Sequence, residues 1–128
     1  MEYSFHFDHY NINVADRQRS LDFYAKALGL LPKGHIDGPD GAFTIDYLGD
    51  DTTGFRLEIT CLKDHPKPYD LGENETHLAL RLNPDQDYDK VREWHREMGV
   101  ICFENHAMGI YFIEDPDGYW IEILRARP

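Results

Sequence analysis

The sequence predicts an α+β fold in which two β-α-β-β-β modules, 5–62 and 75–126, are joined by a linker over 63–74 into one domain of 1–128. Three observations predict it. A strand-like segment, an amphipathic stretch ending in glycine and three further strand-like segments occur twice in the same order. Each copy has a histidine near its start and a glutamate near its end, His9 and Glu58 in the first, His77 and Glu122 in the second. The intervals match closely, 58 − 9 = 49 and 122 − 77 = 45.

The first module opens with 5–14, aromatic and β-branched with partial alternation, which reads as a strand. Asp16 is the expected N-cap of a helix running to about Leu28, with Leu21, Tyr24, Ala25 and Leu28 as its apolar stripe. Gly29 follows as the residue able to take positive φ at the helix end. Strands are expected over 30–36, 42–48 and 55–61, the first two separated by the turn sequence Asp37-Gly38-Pro39-Asp40-Gly41. Pro66, Pro68 and Gly72 then interrupt any regular element in the linker. The second module repeats the order: a strand over 76–82, and Asn83-Pro84-Asp85 leading into a helix that ends near Met98. That helix has Val91, Trp94 and Met98 as its stripe and Gly99 at its end. Strands over 100–104, 109–114 and 119–124 complete it, the last two joined by Asp115-Pro116-Asp117-Gly118, a strong turn signal. One such module cannot close a core alone, so two must pack together, within the chain or across a dimer.

Bulk properties narrow the function. A net charge of −11 argues against nucleic acid or an anionic membrane as partner, since both require a basic face. No apolar run approaches the roughly 20 residues that span a bilayer, and the first residues lack the basic and apolar regions of a signal peptide. Cys61 and Cys102 lie in strand-like segments and suggest small apolar residues rather than a disulfide framework, so a reduced cytoplasmic setting is expected.

If the two modules fold alike, an approximate two-fold axis brings His9, Glu58, His77 and Glu122 to one point, each from inside a strand. Two imidazoles and two carboxylates suit a divalent first-row metal, with positions left for water or substrate. With 7 His and 24 acidic residues, some His/Glu pairs match any loose template by chance, and the matched placement in two copies is what singles these out. His6, His35, His65, His95 and His106 have no repeat partner and are read as surface or structural.

These residues also carry a resemblance. His9 to Asp16, followed by Arg19-Ser20-Leu21-Asp22-Phe23-Tyr24 and Leu28-Gly29-Leu30, resembles the opening motif of the vicinal oxygen chelate superfamily. Phe112-Ile113-Glu114-Asp115-Pro116-Asp117-Gly118-Tyr119-Trp120-Ile121-Glu122 resembles its closing motif. Within that superfamily the chain is most similar to bacterial glyoxalase I (lactoylglutathione lyase), because His9, Glu58, His77 and Glu122 are all kept. The resemblance implies curved mixed sheets around a metal site and a homodimer, with sites shared between chains. It also implies a short-chain preference for Ni²⁺ or Co²⁺, with Zn²⁺ as the alternative. The implied reaction converts a 2-oxoaldehyde–thiol hemithioacetal to a 2-hydroxyacyl thioester through an enediolate, with Glu122 as first choice of base and Glu58 as second.

The pattern departs from bacterial glyoxalase I at Asn13, where a basic glutathione contact is expected, and at Leu62, where an asparagine is expected. Strand periodicity places Arg56 with Glu58 and Arg81 with His77, so either arginine is a candidate anion contact. Asn13, Arg56, Arg81 and Trp120 are therefore the candidate substrate-binding residues, Trp120 being equally suited to the core. The alternatives are an epimerase-type enzyme of the superfamily acting on a non-glutathione substrate, and a resistance protein that only binds a small molecule.

Overall fold

The computed structural model describes residues 2–128, and the chain divides into two compact units that meet between Tyr69 and Asp70, inside the predicted linker. In the first unit, β1 (His9–Asn13) leads to α1 (Arg17–Leu28), β2 (Leu31–Asp37), a 3-10 turn (Pro39–Gly41), β3 (Phe43–Gly49) and β4 (Arg56–Leu62). The second unit runs β5 (Leu78–Arg81), α2 (Tyr88–Met98), β6 (Ile101–Asn105), β7 (Ile110–Glu114) and β8 (Trp120–Leu124). Both are β-α-β-β-β, as the repeat predicts.

The sheets share one topology. The first is ordered β1-β4-β3-β2 and the second β5-β8-β7-β6. In each, the first strand lies parallel beside the last, and the remaining pairings are antiparallel. The module's first and last strands, which carry His9 and Glu58 in the first unit and follow His77 directly and carry Glu122 in the second, are thereby made neighbours.

Local chemistry accounts for the helix limits. The Asp16 carboxylate accepts the Arg19 N–H at 3.1 Å, and Gly29 ends α1 at φ 65° with its N–H donated to the Ala25 carbonyl. Asp87 caps α2 by accepting the N–H groups of Asp89 and Lys90, and Gly99 ends it at φ 73°. Each unit buries one sheet face against its helix side. In the first this core includes Ile12, Val14, Leu48, Leu57 and Ile59 with Phe23, Tyr24 and Ala27; in the second, Tyr111, Ile113, Ile121 and Ile123. Strand alternation turns Arg56, Glu58 and Thr60, and likewise Trp120 and Glu122, to the opposite face.

The structure corrects four sequence expectations. β1 starts at His9, not at residue 5, because its partner β4 begins at Arg56 in register with His9; Phe5 and Phe7 upstream are 92% and 90% exposed. His77 falls one residue before β5 rather than inside a strand, since pairing with β8 begins at Leu78 opposite Ile121. The buried row of α1 is Ser20, Phe23, Tyr24 and Ala27, with Ala25 exposed: small Ser20 and Ala27 turn inward and let the helix approach the sheet. In α2, Trp94 is exposed, and the fully buried position is His95, whose Nδ1 lies 2.8 Å from the Tyr111 hydroxyl.

Candidate metal centre

Each unit brings its own histidine and glutamate together. His9 Nε2 lies 3.6 Å from a Glu58 carboxylate oxygen, and His77 Nε2 lies 3.2 Å from a Glu122 oxygen. The imidazoles are part exposed and the carboxylates largely buried, with side-chain exposures of 42% and 39% against 14% and 17%. Among the described residues no three His, Cys, Asp or Glu side chains gather at one point, so the structure presents two matched donor pairs.

Register explains the pairing. In the first sheet His9 is opposite Arg56 and Asn11 opposite Glu58, which sets His9 and Glu58 diagonally across two parallel strands on one face. In the second, Glu122 is opposite Ala79, two residues beyond His77. The next strand adds an aromatic residue directly opposite each glutamate, Tyr47 opposite Glu58 and Phe112 opposite Glu122. Both rings stand edge-on to the histidine of their own pair, Tyr47 at 6.1 Å and 89° from His9, Phe112 at 5.0 Å and 86° from His77.

The surroundings differ in polarity. His9 Nδ1 is 2.6 Å from an Asp8 oxygen, which leaves Nε2 facing Glu58. That hydrogen bond, aided by the nearby Glu58 charge, raises the His9 pKa above its ordinary value and lowers that of Asp8. A hydrogen bond to the Glu58 carboxylate raises the Tyr47 phenol. Beyond Glu58, Thr60 donates to Asn11 at 2.6 Å and Asn11 donates to Asn13 at 2.8 Å. The second pair sits instead in an aromatic cluster: Trp120 is 5.4 Å from Phe112 and 6.3 Å from Phe103, ring centre to ring centre. Trp120 therefore belongs to the face of Glu122, not to the helix-side core.

The predicted arginines are placed less simply. Arg56 donates to the carbonyls of Phe55 and Thr53, and its guanidinium lies over Gly49, where an added Cβ would meet it at 2.5 Å. Arg81 donates to the Arg125 carbonyl at 2.7 Å. Among the described residues neither forms a close ion pair with a carboxylate, although the Arg56 charge lies near enough to Asp8 and Asp50 to help lower both. Cys102 is pushed up to about 11, by burial first and Glu114 second, which makes it an unreactive thiol.

The donor chemistry fits a divalent cation. Two donors each about 2.1 Å from one ion are separated by roughly 3.0 to 3.4 Å when they subtend a right or tetrahedral angle. The His77–Glu122 separation of 3.2 Å lies in that range, and the His9–Glu58 separation of 3.6 Å is slightly wider. An Asp8 carboxylate on Nδ1 is also the outer-shell partner that orients a ligating imidazole through Nε2.

Sequence reasoning missed Asp8, Tyr47, Phe103 and Phe112. A signal was there: Tyr47 and Phe112 precede their glutamates by 58 − 47 = 11 and 122 − 112 = 10 residues, the span that sets a hairpin partner opposite.

The chain matches the family profile described as Glyoxalase/Bleomycin resistance protein/Dioxygenase superfamily over residues 6–123. It is 34% identical to a lactoylglutathione lyase of Neisseria meningitidis over 93% of this chain and 89% of that one. Identity to a lactoylglutathione lyase of Escherichia coli O157:H7 is 32%, over 93% and 91%. Among solved structures, a trypanothione-dependent glyoxalase I of Leishmania major superposes with a TM-score of 0.75 at 28% identity, covering 95% of this chain and 87% of that one. Glyoxalase I of Zea mays gives 0.78 at 29% identity, over 94% of this chain and 45% of the longer maize chain. A profile that spans nearly the whole chain, relatives named as lyases at this identity and a shared topology lead to one statement: the chain belongs to the glyoxalase/bleomycin resistance/dioxygenase superfamily and is a lactoylglutathione lyase-like enzyme within it.

Proposed function

We propose that this enzyme is a metal-dependent glyoxalase I-type lyase that converts a 2-oxoaldehyde–thiol hemithioacetal to a 2-hydroxyacyl thioester, with His9, Glu58, His77 and Glu122 as metal ligands. The observation that carries the reading is the duplicated donor pair, imidazole nitrogen against carboxylate oxygen at 3.6 and 3.2 Å. A divalent ion, Ni²⁺ or Co²⁺ by preference and Zn²⁺ as the alternative, supplies Lewis-acid stabilisation of charge on two vicinal substrate oxygens when bound. Glu122 removes the proton from the substrate carbon and returns it to the neighbouring carbon; Glu58 is the second candidate for that role. Phe103, Phe112 and Trp120 line the face beside Glu122 with apolar surface, which suits the side chain of an oxoaldehyde and keeps water from the proton in transit.

The homodimer and the cytoplasmic setting, in which Cys61 and Cys102 stay reduced, belong to the same proposal. The thiol is its open variable. Asn13 and Leu62 stand where glutathione contacts are expected, and Asn13 is engaged by Asn11. The Leishmania relative, named for trypanothione, supports a second reading in which the thiol is not glutathione. Arg56 and Arg81 are the anion contacts proposed for either thiol.

The test is turnover of the methylglyoxal–glutathione hemithioacetal by metal-free protein reconstituted with Ni²⁺, Co²⁺ or Zn²⁺. Metal-dependent thioester formation supports the glutathione form of the reading. Bound metal without turnover transfers it to other thiols, and a protein that binds none of the three ions rejects it.

A further inference from the structure

The first sheet has two outer edges, and the sequence treats them differently. β2 closes one edge with Pro32, Lys33, Gly34 and a register shift between Pro32 and Gly34, all features that discourage a foreign strand from pairing. β1 forms the other edge, and from Glu2 to Asn13 the chain contains no lysine, arginine, proline or glycine. The β1 ladder is bounded by two bonds: Arg56 donates to the Asp8 carbonyl at 3.0 Å, and Val14 donates to the Thr60 carbonyl at 2.9 Å. Even-numbered residues therefore turn their backbone toward β4, and odd-numbered residues turn theirs outward, where no strand lies beside them among the described residues. The strand-like sequence also begins before the strand does. Residues 5–14 read as a strand, yet β1 starts at His9, because β4 begins at Arg56 and pairs with nothing upstream of Asp8. In that unpaired stretch Tyr3, Phe5 and Phe7 are 71%, 92% and 90% exposed.

We propose that residues 3–8 are a docking arm for a second copy of this chain, laid along an unguarded edge strand of that copy and receiving its arm in return. This rests on the homodimer of the reading above and is independent of the metal and the reaction. Once the arm is extended, alternation sets Tyr3, Phe5 and Phe7 on one face, the face that carries His9. Three rings so exposed offer roughly 500 Å² of apolar surface in each copy. That is more than half of the ~800 Å² that each partner gives to a standard interface. A second copy suits the arm because exchange between identical edges closes under a two-fold rotation and leaves no arm over to recruit further copies. Glu2 and Asp8 flank the rings in a chain of charge −11, which turns the arm away from nucleic acid and anionic membranes and toward a protein strand.

Three full-length proteins test this: the natural chain, an arm variant carrying Phe5→Ser and Phe7→Ser, and an edge control carrying Leu31→Ser and Ile36→Ser on β2. Sedimentation equilibrium gives the dimer Kd of each, circular dichroism checks the fold, and amide hydrogen exchange reads residues 5–8 in the natural chain at high and low concentration. The natural chain is expected to dimerise, the arm variant to raise Kd about 100-fold or more, and the edge control to leave it unchanged. The circular dichroism of the arm variant is expected to match the natural chain, because the two rings it loses lie outside the core. A natural chain that stays monomeric overturns the arm and the homodimer together. A natural dimer whose Kd the arm variant leaves unchanged overturns the arm alone, and the homodimer then forms through another surface. If the arm variant loses its fold, hydrogen exchange decides: slow exchange at residues 5–8 that is lost on dilution supports the arm, and fast exchange at every concentration overturns it.

Discussion

Asp8 sits just outside β1 and is largely exposed, yet its carboxylate is the closest polar neighbour of His9, at 2.6 Å from Nδ1. It acts in two ways. It holds the ring through Nδ1 so that Nε2 faces Glu58, and it would make that nitrogen more basic toward a bound metal. No carboxylate does the same for His77 among the described residues, so the two histidines differ in support. Asp8→Ala is expected to weaken metal binding about 10-fold, the lower end of outer-shell effects because Asp8 faces water. A chelator-competition titration measures this, and an unchanged dissociation constant would show that the Asp8–His9 bond does not act on the metal. The four candidate ligands stand out in the sequence because duplication marks them twice. Asp8 was not legible, since nothing in the second module repeats it: the position before His77 is Thr76.

Between helix and sheet, a charged cluster ties α1 to β3 and β2 behind the first donor pair. Asp46, 3% exposed, takes two bonds from Arg17 at 2.7 and 2.9 Å and a third contact from His35 Nδ1 at 2.8 Å; His35 Nε2 meets Asp37. Burial alone would raise the Asp46 pKa, but hydrogen bonds from Arg17 and then His35 outweigh it and hold the carboxyl below its ordinary value. His35 is raised, by Asp46 first and Asp37 second. The signs follow from linkage. The lowered Asp46 contributes stability that is present above the usual carboxylate range and lost as pH falls through its folded value. The raised His35 contributes stability that is complete below about 6.5 and lost as pH rises through its higher folded value. Thermal midpoints measured from pH 5 to 9 should therefore fall on the alkaline side in the natural protein and fall less in His35→Gln. Parallel curves would mean that the His35 contacts carry no proton-linked stability. Element order was legible because the helix caps Asp16 and Gly29 and the turn at Asp115 state their own geometry. The helix faces were not: Trp94 completes an apolar stripe on paper, but the strands decide which row is covered, and they cover His95.

For the molecule as a whole, the proposed metal binding predicts a link to stability. An ion present at a thousand times its dissociation constant from the folded chain would add about 4 kcal/mol, which for a chain of 128 residues raises the midpoint by roughly 15 °C. Exhaustive chelation should lower the midpoint by that amount, and re-addition of Co²⁺ should restore it. A midpoint indifferent to both treatments would reject the metal reading. The βαβββ duplication and the −11 charge were legible in the chain from the start. That each unit supplies one donor pair of matched geometry was not, because parallel pairing of the first and last strands fixes the register and no local signal encodes it.

That pairing has a kinetic consequence. Asn11 meets Glu58 across 58 − 11 = 47 residues and Ala79 meets Glu122 across 122 − 79 = 43, so each loop closes only when its module is nearly finished. Closing a loop of that length costs roughly 3 kcal/mol of chain entropy before any ladder bond repays it. Such high contact order makes the docking of β4 on β1, and of β8 on β5, the slow steps of folding. Both donor pairs are born in those steps. A nascent chain can therefore hold each pair only once the last strand of that module has arrived, so binding at the first pair would report a completed first module and binding at the second a completed chain.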